Sequence, residues 1–396
     1  MRFWMQFKFL SGLFLLLAVP FAAKADAAFD AWKQNFAAYA LEQNVSPQIV
    51  RQYVPSLQHL ERVIVLDRKQ PEFKSSFSTY MKRAVSADRI QKGRDLFKEK
   101  NAVLAQIERK YGVPAPYLLA FWGVETHYGA IKGRINTLDA LATLSYDNRR
   151  SAFFTQQLIA LLKIIQEDQI EPPKGSWAGA FGHFQFMPTT YWQYAVDEDK
   201  DGRRDLVNSF EDALASAANY LSQLGWDSQI SWGREVLLPN ADISPFIDEK
   251  MTLKAWYEKG FRLKGKENLT PFEETIPARL IMPAGQSGPA FLVYSNFDVI
   301  KRWNRSDFYA LSVGILADHI AGKQAFNVSS LPDETAISAE EIRQIQHQLK
   351  NMGFYEGAPD GLYGSQTRKA VKAYQKKNRM PVDGYLSKDL LEKILK

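Results

Sequence analysis

The chain has 396 residues, of which 46% are hydrophobic and 24% charged, a composition typical of globular proteins with a sizeable core. It contains no cysteine and only five histidines without an HExxH pattern, which excludes disulfides, thiolate metal sites and a thiol nucleophile and argues against a zinc hydrolase. The net charge of +6 comes from interspersed basic and acidic residues without a basic block, so no nucleic-acid partner is indicated.

The first residues have the pattern of an export signal. Arg2 and Lys8 form a positively charged start, an apolar stretch over residues 9–23 follows, and an A-x-A cleavage site ends it. An uncleaved membrane anchor is the alternative, although the stretch is short for a spanning helix. We therefore predict a signal peptide over residues 1–25 and a periplasmic protein without a lipid anchor.

The next three hundred or so residues, up to Lys323, have a mainly helical pattern of apolar residues. Representative predicted helical segments are Arg89–Tyr111, Pro116–Glu125, Ser151–Gln166 and Phe210–Leu224. Between Leu253 and Tyr294, short alternating runs separated by Gly and Pro predict a small strand region, with strands near Ala278–Met282 and Ala290–Tyr294. The fold class is therefore mainly α (α+β).

A polar segment, Phe326–Thr335, has no periodicity and is predicted to be a linker. Beyond it, a unit of about sixty residues contains three predicted helices, and a unit of this size could fold alone only with marginal stability. The helices are Ala339–Met352, Ser365–Asn378 and Ser387–Leu395. The predicted organisation after the signal peptide is a first domain over residues 26–322, a linker over 323–336 and a small three-helix domain over 337–396.

A candidate catalytic acid ends the segment PAPYLLAFWGVETHYG. Leu118, Phe121 and Glu125 are spaced to share one face of a helix, so Glu125 ends an apolar surface. Desolvation there would raise the pKa of the carboxyl group, as a general acid near neutral pH requires. An ordinary helix glutamate paired with a neighbouring cation is the alternative.

A second segment, GSWAGAFGHFQFMPTTY, combines glycines, aromatic residues and neutral polar side chains. Glycines let the backbone approach a ligand closely, aromatic faces stack on sugars, and Ser176 and Gln185 can hydrogen-bond uncharged sugar groups. A glycine-rich turn in the core is the alternative for this segment.

Together these two segments resemble the membrane-bound lytic transglycosylase B family, glycoside hydrolases with a lysozyme-like core. The resemblance continues through Tyr191–Trp226 and Asn304–Leu316, and therefore covers most of residues 30–322. It implies that Glu125 is the single catalytic acid/base. It also implies that the substrate is a peptidoglycan glycan strand, cleaved without water to leave a 1,6-anhydromuramyl end.

The resemblance also implies which side chains line the substrate cleft. Trp303 stands where the family often has a tyrosine, which keeps the stacking surface and drops the hydroxyl. Packing in the core is the alternative for each aromatic residue of this set. The implied substrate-binding residues are Tyr80, Ser176, Gln185, Tyr220, Trp303, Asn304 and Tyr309.

The segment DEDKDGRRDLVN has the spacing of an EF-hand loop, with Gly202 at the sharp-turn position. The carboxylates and the position-7 carbonyl of this pattern are those of Asp197, Asp199, Asp201, Arg203 and Asp205. Asn208 replaces the usual last glutamate, so a later acid, Glu211 or Asp212, must complete the site, and the resemblance favours Asp212. We expect a structural Ca²⁺ ion; a solvated acidic turn is the alternative.

The C-terminal unit resembles the peptidoglycan-binding domain 1 family. The resembling features include Gln348-Leu349 in the first helix, Asp360-Gly361, Tyr374-Gln375 in the second helix and Gly384. The resemblance implies a module that holds the enzyme on its polymer; a generic helical domain is the alternative.

Two other functions remain open at this stage. A muramidase would hydrolyse the same bond, and a wall-binding scaffold would carry a degenerate site. Besides peptidoglycan, cell-wall synthesis or remodelling proteins are candidate partners. No cofactor is needed for the chemistry itself.

Overall fold

A computed structural model describes residues 21–69, 75–334 and 336–396. The predicted signal peptide therefore lies largely outside the described residues. The helices before the linker are α1 (Phe21–Glu42), α2 (Pro47–Tyr53), α3 (Glu61–Lys69), α4 (Phe77–Ala84), α5 (Ala87–Glu99), α6 (Asn101–Tyr111), α7 (Ala115–Thr126), α8 (Thr137–Tyr146), α9 (Ser151–Asp168), α10 (Pro188–Tyr194), α11 (Phe210–Gln223), α12 (Leu253–Glu258), α13 (Pro271–Glu274), α14 (Ser295–Trp303) and α15 (Asp307–Ile320). None of the described helices is long and apolar enough to cross a bilayer.

Helix α7 lies at the centre of the part of the chain before the C-terminal module, which we call the larger region. It is apolar on nearly every side, as a helix surrounded by others must be. It packs against α5, α6, α11 and α15. Pro114 immediately precedes its first turn, where a proline costs no hydrogen bond. His127 and Tyr128, both with left-handed backbone, end it directly after Glu125 and Thr126.

The predicted helical segment Arg89–Tyr111 is two helices rather than one. Lys100, with φ −100° and ψ 20°, ends α5 and begins α6. The break lies in the polar stretch around Lys98–Asn101 and lets the two helices pack separately on α7. Hydrophobic periodicity continued across the break, so the sequence did not reveal it.

The strands form a two-stranded ribbon, β1 (Ile135–Asn136) with β2 (Lys174–Gly175), and a five-stranded antiparallel sheet in the order β4-β6-β7-β3-β5. The five strands are β3 (Gly233–Leu237), β4 (Lys250–Thr252), β5 (Arg262–Leu263), β6 (Pro277–Ile281) and β7 (Ala290–Val293). The sheet has a core of its own around Trp256, Phe261 and Leu292. The predicted strand region is confirmed, although β3 begins before it. The mainly α fold with a small sheet is also confirmed.

The segment predicted as a polar linker is packed against the larger region. Phe326, Val328 and Leu331 are buried in the main core, and a 3₁₀ turn spans Val328–Ser330. Lys82 forms an ion pair with Asp333 at 2.6 Å. The apolar residues within the polar segment therefore anchor it.

The C-terminal module consists of α16 (Ala339–Asn351), α17 (Ser365–Lys377) and α18 (Lys388–Leu395), close to the predicted bounds. Its core is centred on Ile345, Leu349, Val371 and Ile394. The module is held on the larger region by a hydrogen bond from the Gln286 N–H to Asp383 at 2.8 Å and by an ion pair of Lys372 with Asp248.

Candidate active site

Glu125 lies on the last turn of α7, at the edge of the buried helix bundle, and is itself partly buried. Leu118 and Phe121, which share its helix face, are fully buried. The structure therefore places the Glu125 carboxylate at the end of an apolar helix face, as predicted from the spacing.

The environment of Glu125 favours its protonated form. Burial raises the pKa of the carboxyl group from 4.5 to about 7, against the opposing hydrogen bonds of Tyr309 and Trp303. The Tyr309 hydroxyl donates to Oε1 of Glu125 at 2.5 Å. Burial and the Glu125 charge hold the pKa of Tyr309 well above its ordinary value, so Tyr309 stays a donor. A carboxyl group in this setting can give up and take back a proton near neutral pH.

Tyr80 lies within electrostatic reach of the same carboxyl group. Burial raises the pKa of Tyr80, and the Glu125 charge raises it further, whereas a hydrogen bond with Ser312 lowers it. Its ring lies 5.7 Å from that of Phe308, and the Arg83 guanidinium lies 5.6 Å from the ring centre. Tyr80 is therefore partly buried, and its raised pKa keeps the hydroxyl group protonated.

An aromatic cluster centred on Trp303 forms one side of the site. The Trp303 ring lies 4.5 Å from Phe121, 5.2 Å from Phe186 and 5.2 Å from Tyr220. Trp303 and Tyr220 remain partly exposed, whereas Phe121 and Phe186 are buried. The structure therefore brings the two predicted stacking residues, Trp303 and Tyr220, into direct contact beside Glu125.

The glycine-rich segment after β2 folds into tight turns. The Ser176 hydroxyl accepts a hydrogen bond from the Ala180 N–H at 3.1 Å, which leaves its own proton available. Gln185, at φ 49°, donates from Nε2 to the carbonyls of Lys132 and Gly182, each at 3.1 Å. These bonds do not use Oε1, which remains an acceptor for a ligand. Gly182 is required here because a Cβ atom would lie 2.5 Å from the Leu206 carbonyl oxygen.

His183 joins this turn to helix α7, a contact that the sequence did not indicate. Its Nδ1 accepts a hydrogen bond from the Trp122 indole at 3.0 Å, and its carbonyl accepts one from Thr126 at 2.7 Å. Burial, together with the Lys132 charge, lowers the pKa of His183 to about 4, so the ring is neutral and acts as an acceptor. A histidine between Gly182 and Phe184 indicates only a turn in an aromatic-rich segment, which is why its contacts were not predicted.

Asn304 differs from the other predicted substrate-binding residues because it is exposed. It ends α14, and its Oδ1 accepts a hydrogen bond from the Ser306 N–H at 3.1 Å. Its amide nitrogen is left free to donate at the rim beside Trp303.

The acidic loop brings part of its predicted ligand set together. Carboxylate oxygens of Asp197, Asp199 and Asp212 lie within 4.8 Å of one another. Gly202 makes the sharp turn with φ 91°. Asp201 lies outside this cluster and is exposed, with its Oδ1 accepting a hydrogen bond from the Arg203 N–H at 2.9 Å.

Asp205 also lies outside the cluster, and its Oδ1 accepts hydrogen bonds from the N–H groups of Val207 and Asn208 at the end of the loop. Asp212 is buried, and three backbone N–H groups of the loop donate to it. Within the described residues, the buried Oδ1 of Asp197 has no hydrogen-bond partner. An all-oxygen cluster with one unsatisfied buried carboxylate oxygen suits a hard cation such as Ca²⁺.

The acidic loop is hydrogen-bonded directly to the glycine-rich turn and to Lys132. The His183 N–H donates to the Leu206 carbonyl at 3.0 Å, and the Lys132 ammonium donates to the Val207 carbonyl at 2.7 Å. The geometry of the acidic loop and that of the glycine-rich turn are therefore coupled.

A separate cavity of about 960 Å³ opens between the larger region and the C-terminal module. Its lining includes Phe77, Met282, Arg305, Tyr363 and Tyr385, and Glu125 is not among the lining residues. The cavity and the Glu125 carboxyl group are therefore distinct parts of the molecule.

Residues 28–318 match the family described as the transglycosylase SLT domain. The chain belongs to this family. It is therefore a member of the lytic transglycosylase enzyme family, as the resemblance of its motifs predicted. Residues 338–394 match a family of peptidoglycan binding domains, which agrees with the predicted identity of the C-terminal module.

Individual relatives agree with this assignment. The chain is 33% identical over 250 residues to membrane-bound lytic murein transglycosylase B of Escherichia coli K12, a match that spans 61% of this chain and 66% of that protein. The chain has 37% sequence identity to SltB3 from Pseudomonas aeruginosa, whose crystal structure is of a complex with NAG-NAM-pentapeptide. The two structures superpose with a TM-score of 0.87 over 92% of this chain and 99% of that one. The Escherichia coli lytic transglycosylase Slt35 in complex with calcium is 29% identical, with a TM-score of 0.62 over 73% of this chain and 92% of that one.

Proposed function

We propose that this lytic transglycosylase cleaves the β-1,4 bond between N-acetylmuramic acid and N-acetylglucosamine in peptidoglycan, with Glu125 as its single acid/base. The observation that carries the proposal is the carboxyl group of Glu125, whose pKa of about 7 allows both protonation states during turnover. The curated relative and SltB3 support the choice of polymer, since the first is a murein transglycosylase and the second binds a muropeptide.

In the first step Glu125 acts as an acid. Its proton passes to the glycosidic oxygen as the bond from that oxygen to C1 of the muramic sugar breaks. The carbonyl oxygen of the sugar's own N-acetyl group stabilises the positive charge that develops at C1. Tyr309 then donates to the Glu125 carboxylate that has formed, through the hydrogen bond already present to Oε1.

In the second step Glu125 acts as a base. The carboxylate takes the proton from the 6-hydroxyl group of the same muramic sugar, and O6 bonds to C1. Glu125 is thereby reprotonated, the 1,6-anhydro ring closes and no water is consumed. Among the described residues, no second carboxylate contributes to the pKa shift of Glu125, whereas enzymes that hydrolyse such bonds ordinarily use a pair.

The remaining predicted residues would bind and position the strand. Trp303 and Tyr220 offer aromatic faces for sugar rings, and Ser176, Gln185 and Asn304 offer neutral hydrogen-bonding groups for hydroxyl and acetamido substituents. Tyr80 adds a hydroxyl within electrostatic reach of Glu125.

We propose further that the acidic loop binds a structural Ca²⁺ ion through Asp197, Asp199 and Asp212, with Asp201, Asp205 and the Arg203 carbonyl as the other predicted ligands. When bound, the ion would stabilise the loop and supply no catalytic chemistry. The calcium complex of Slt35 and the buried unsatisfied oxygen of Asp197 support this assignment.

The C-terminal module would bind peptidoglycan and raise the concentration of strands at the active site. The signal-like first 25 residues support a periplasmic location, where the polymer lies. Cell-wall synthesis or remodelling proteins are the further partners that we propose.

The test is mass spectrometry of the muropeptides that the mature chain releases from purified sacculi, beside a Glu125→Gln variant. The proposal predicts products that end in 1,6-anhydromuramic acid and that disappear with the variant. Reducing muramic ends would identify a muramidase instead. Binding without any product would identify a scaffold.

A further inference from the structure

The C-terminal module contains an Asp-Gly turn that a buried glutamine holds from the preceding helix. Gln346 of α16 donates from Nε2 to Oδ1 of Asp360 at 2.8 Å, and its Oε1 accepts the Gly361 N–H at 2.8 Å. The Leu362 N–H also donates to Oδ1 of Asp360, at 2.9 Å. Gly361 has a φ of 76°, which the turn requires.

The same arrangement recurs one helix later. Gln375 of α17 donates from Nε2 to Oδ1 of Asp383 at 2.7 Å, and its Oε1 accepts the Gly384 N–H at 2.8 Å. The Tyr385 N–H donates to Oδ1 of Asp383 at 2.9 Å, and Gly384 has a φ of 65°. The two turns therefore match group for group, with Leu362 in the place of Tyr385.

The second turn is occupied by the larger region. Oδ2 of Asp383, the oxygen that the turn itself does not use, accepts the backbone N–H of Gln286 at 2.8 Å. The residue before that N–H is Gly285, with a φ of 75°. A Cβ atom on Gly285 would lie 2.8 Å from Tyr385 and 2.9 Å from Oδ2 of Asp383, so an L-residue is excluded there. The contact leaves Asp383 only 7% exposed.

The first turn faces solvent. Asp360 is exposed, and both hydrogen bonds that reach it from other described residues go to Oδ1. Leu362 is 50% exposed, although its counterpart Tyr385 packs against the main core. The guanidinium of Arg343 adjoins the turn, with Nη2 3.2 Å from the position of a Cβ atom on Gly361. Nη1 of the same guanidinium forms an ion pair with Glu340 at 2.6 Å, so Nη2 is the nitrogen next to the turn. An acceptor, an apolar side chain and this Nη2 donor therefore lie together on this face.

The turn at Asp383 shows which backbone conformation a turn of this kind binds. It takes an N–H group that follows a residue with positive φ, a conformation that L-residues avoid and that D-residues adopt readily because they are their mirror images. The side chain of a D-residue would also point away from the positions where an L-residue's Cβ would clash. Stem peptides of peptidoglycan contain D-alanine, and the amide that joins two D-alanines is an N–H that follows a D-residue.

We propose that the turn at Asp360 is a binding site for the D-alanyl end of a peptidoglycan stem peptide. Oδ2 of Asp360 accepts the N–H between the two D-alanines, Leu362 contacts a methyl group, and Arg343 pairs with the terminal carboxylate. The inference rests on the proposed function, since it names the part of the polymer that the C-terminal module recognises.

The test is calorimetric titration of the full mature chain with diacetyl-L-Lys-D-Ala-D-Ala, with the all-L tripeptide as the matched ligand. An Asp360→Asn variant keeps an oxygen for Gln346 and Leu362 and replaces the free acceptor with an amide donor. Glu356→Gln, an exposed acid in the same module, is the control. We expect Asp360→Asn and the change to the all-L ligand each to weaken binding at least tenfold, and Glu356→Gln to leave it unchanged.

Equal affinity for the two tripeptides, unaltered binding by Asp360→Asn, or no binding by the wild type would overturn the assignment. If Asp360→Asn unfolds the module, Leu362→Ser, which changes only an exposed side chain, replaces it with the same expected loss. Release of anhydromuropeptides is measured in parallel on every variant. Its persistence without tripeptide binding would reject this inference alone, whereas its absence in the wild type would reject the proposed function.

Discussion

Glu125, which is partly buried, and Asp212, which is fully buried, are two carboxylates that the fold surrounds in opposite ways. Side chains, those of Tyr309 and Trp303, form the hydrogen bonds with Glu125, whereas three backbone N–H groups donate to Asp212. Burial raises the pKa of both groups, and for Asp212 the three backbone hydrogen bonds oppose it. A carboxyl group that is desolvated and held by side chains is suited to exchange its proton near neutral pH, whereas one held by backbone donors fixes the shape of a loop.

The largest expected effect is the loss of the proton-exchanging group. Glu125→Gln keeps the size of the side chain and removes its acid/base function, so we expect kcat on purified sacculi to fall at least about 10³-fold. Glu99→Gln, an exposed acid on α5, is the matched control and should retain full activity. Residual activity within tenfold of wild type would assign the chemistry to another residue.

The same substitution should change how stability depends on pH. The folded-state pKa of Glu125 is raised from 4.5 to about 7, so its protonated form stabilises the fold fully below pH 4.5, and this contribution is lost as pH rises through 7. Glutamine stays neutral throughout. We therefore expect the free energy of unfolding of Glu125→Gln, relative to that of wild type, to rise by up to about 3 kcal/mol between pH 4 and pH 8.

Denaturant unfolding at the two pH values measures this difference directly. A constant difference in unfolding free energy between the two proteins would mean that Glu125 titrates as an ordinary exposed carboxyl group. That result would remove the contrast with Asp212.

The acidic loop provides the opposite test. Free Ca²⁺ at about a hundred times its Kd should stabilise the chain by about 2.7 kcal/mol, seen as a rise of several degrees in Tm that chelation reverses. Asp197→Asn keeps an oxygen for the Gly202 N–H but loses the unsatisfied one, so the rise should largely disappear.

Glu211→Gln is the matched control, because Glu211 is exposed and is the alternative ligand to Asp212. It should leave the Ca²⁺ response intact. A Tm that responds neither to chelator nor to added Ca²⁺ would show that the loop is a solvated acidic turn.

The smallest predicted effect concerns Tyr309. Its hydrogen bond to Glu125 lowers the pKa of that carboxyl group, so Tyr309→Phe should raise it by about one unit. Because the first step needs protonated Glu125, the alkaline limb of the kcat/KM profile should move to higher pH. We also expect kcat to fall about tenfold, since the carboxylate formed in that step loses its donor.

Phe308→Leu is the control for a change in packing next to Tyr309. It should leave the alkaline limb in place even if it lowers stability. If Tyr309→Phe left the alkaline limb of the kcat/KM profile in place, the Tyr309 hydroxyl would not control the pKa of Glu125.

Local patterns were enough to predict the local structure of two segments, the helix that ends in Glu125 and the acidic loop. The apolar face ending in Glu125 and the Asp spacing of the loop follow from helix periodicity and ligand geometry, and the helices of the C-terminal module were predicted nearly to the residue. These features depend on neighbours in sequence, which a single chain displays.

Contacts between distant segments could not be predicted from the residues alone. Tyr309 lies 184 residues from Glu125, and nothing in either segment indicates their hydrogen bond. The contacts of His183 with Trp122 and Leu206 likewise depend on how three segments pack. The resemblance placed Tyr309 in the cleft, whereas its hydrogen bond to the acid came from the structure.

The most direct test of the central claim is turnover of purified sacculi in water enriched in ¹⁸O, followed by mass spectrometry of the released muropeptides. A single acid/base that closes the 6-hydroxyl onto C1 predicts anhydromuramyl products without ¹⁸O. Products that carry one ¹⁸O at a reducing muramic end would contradict the account and would require a second carboxylate or a water-activating group beside Glu125.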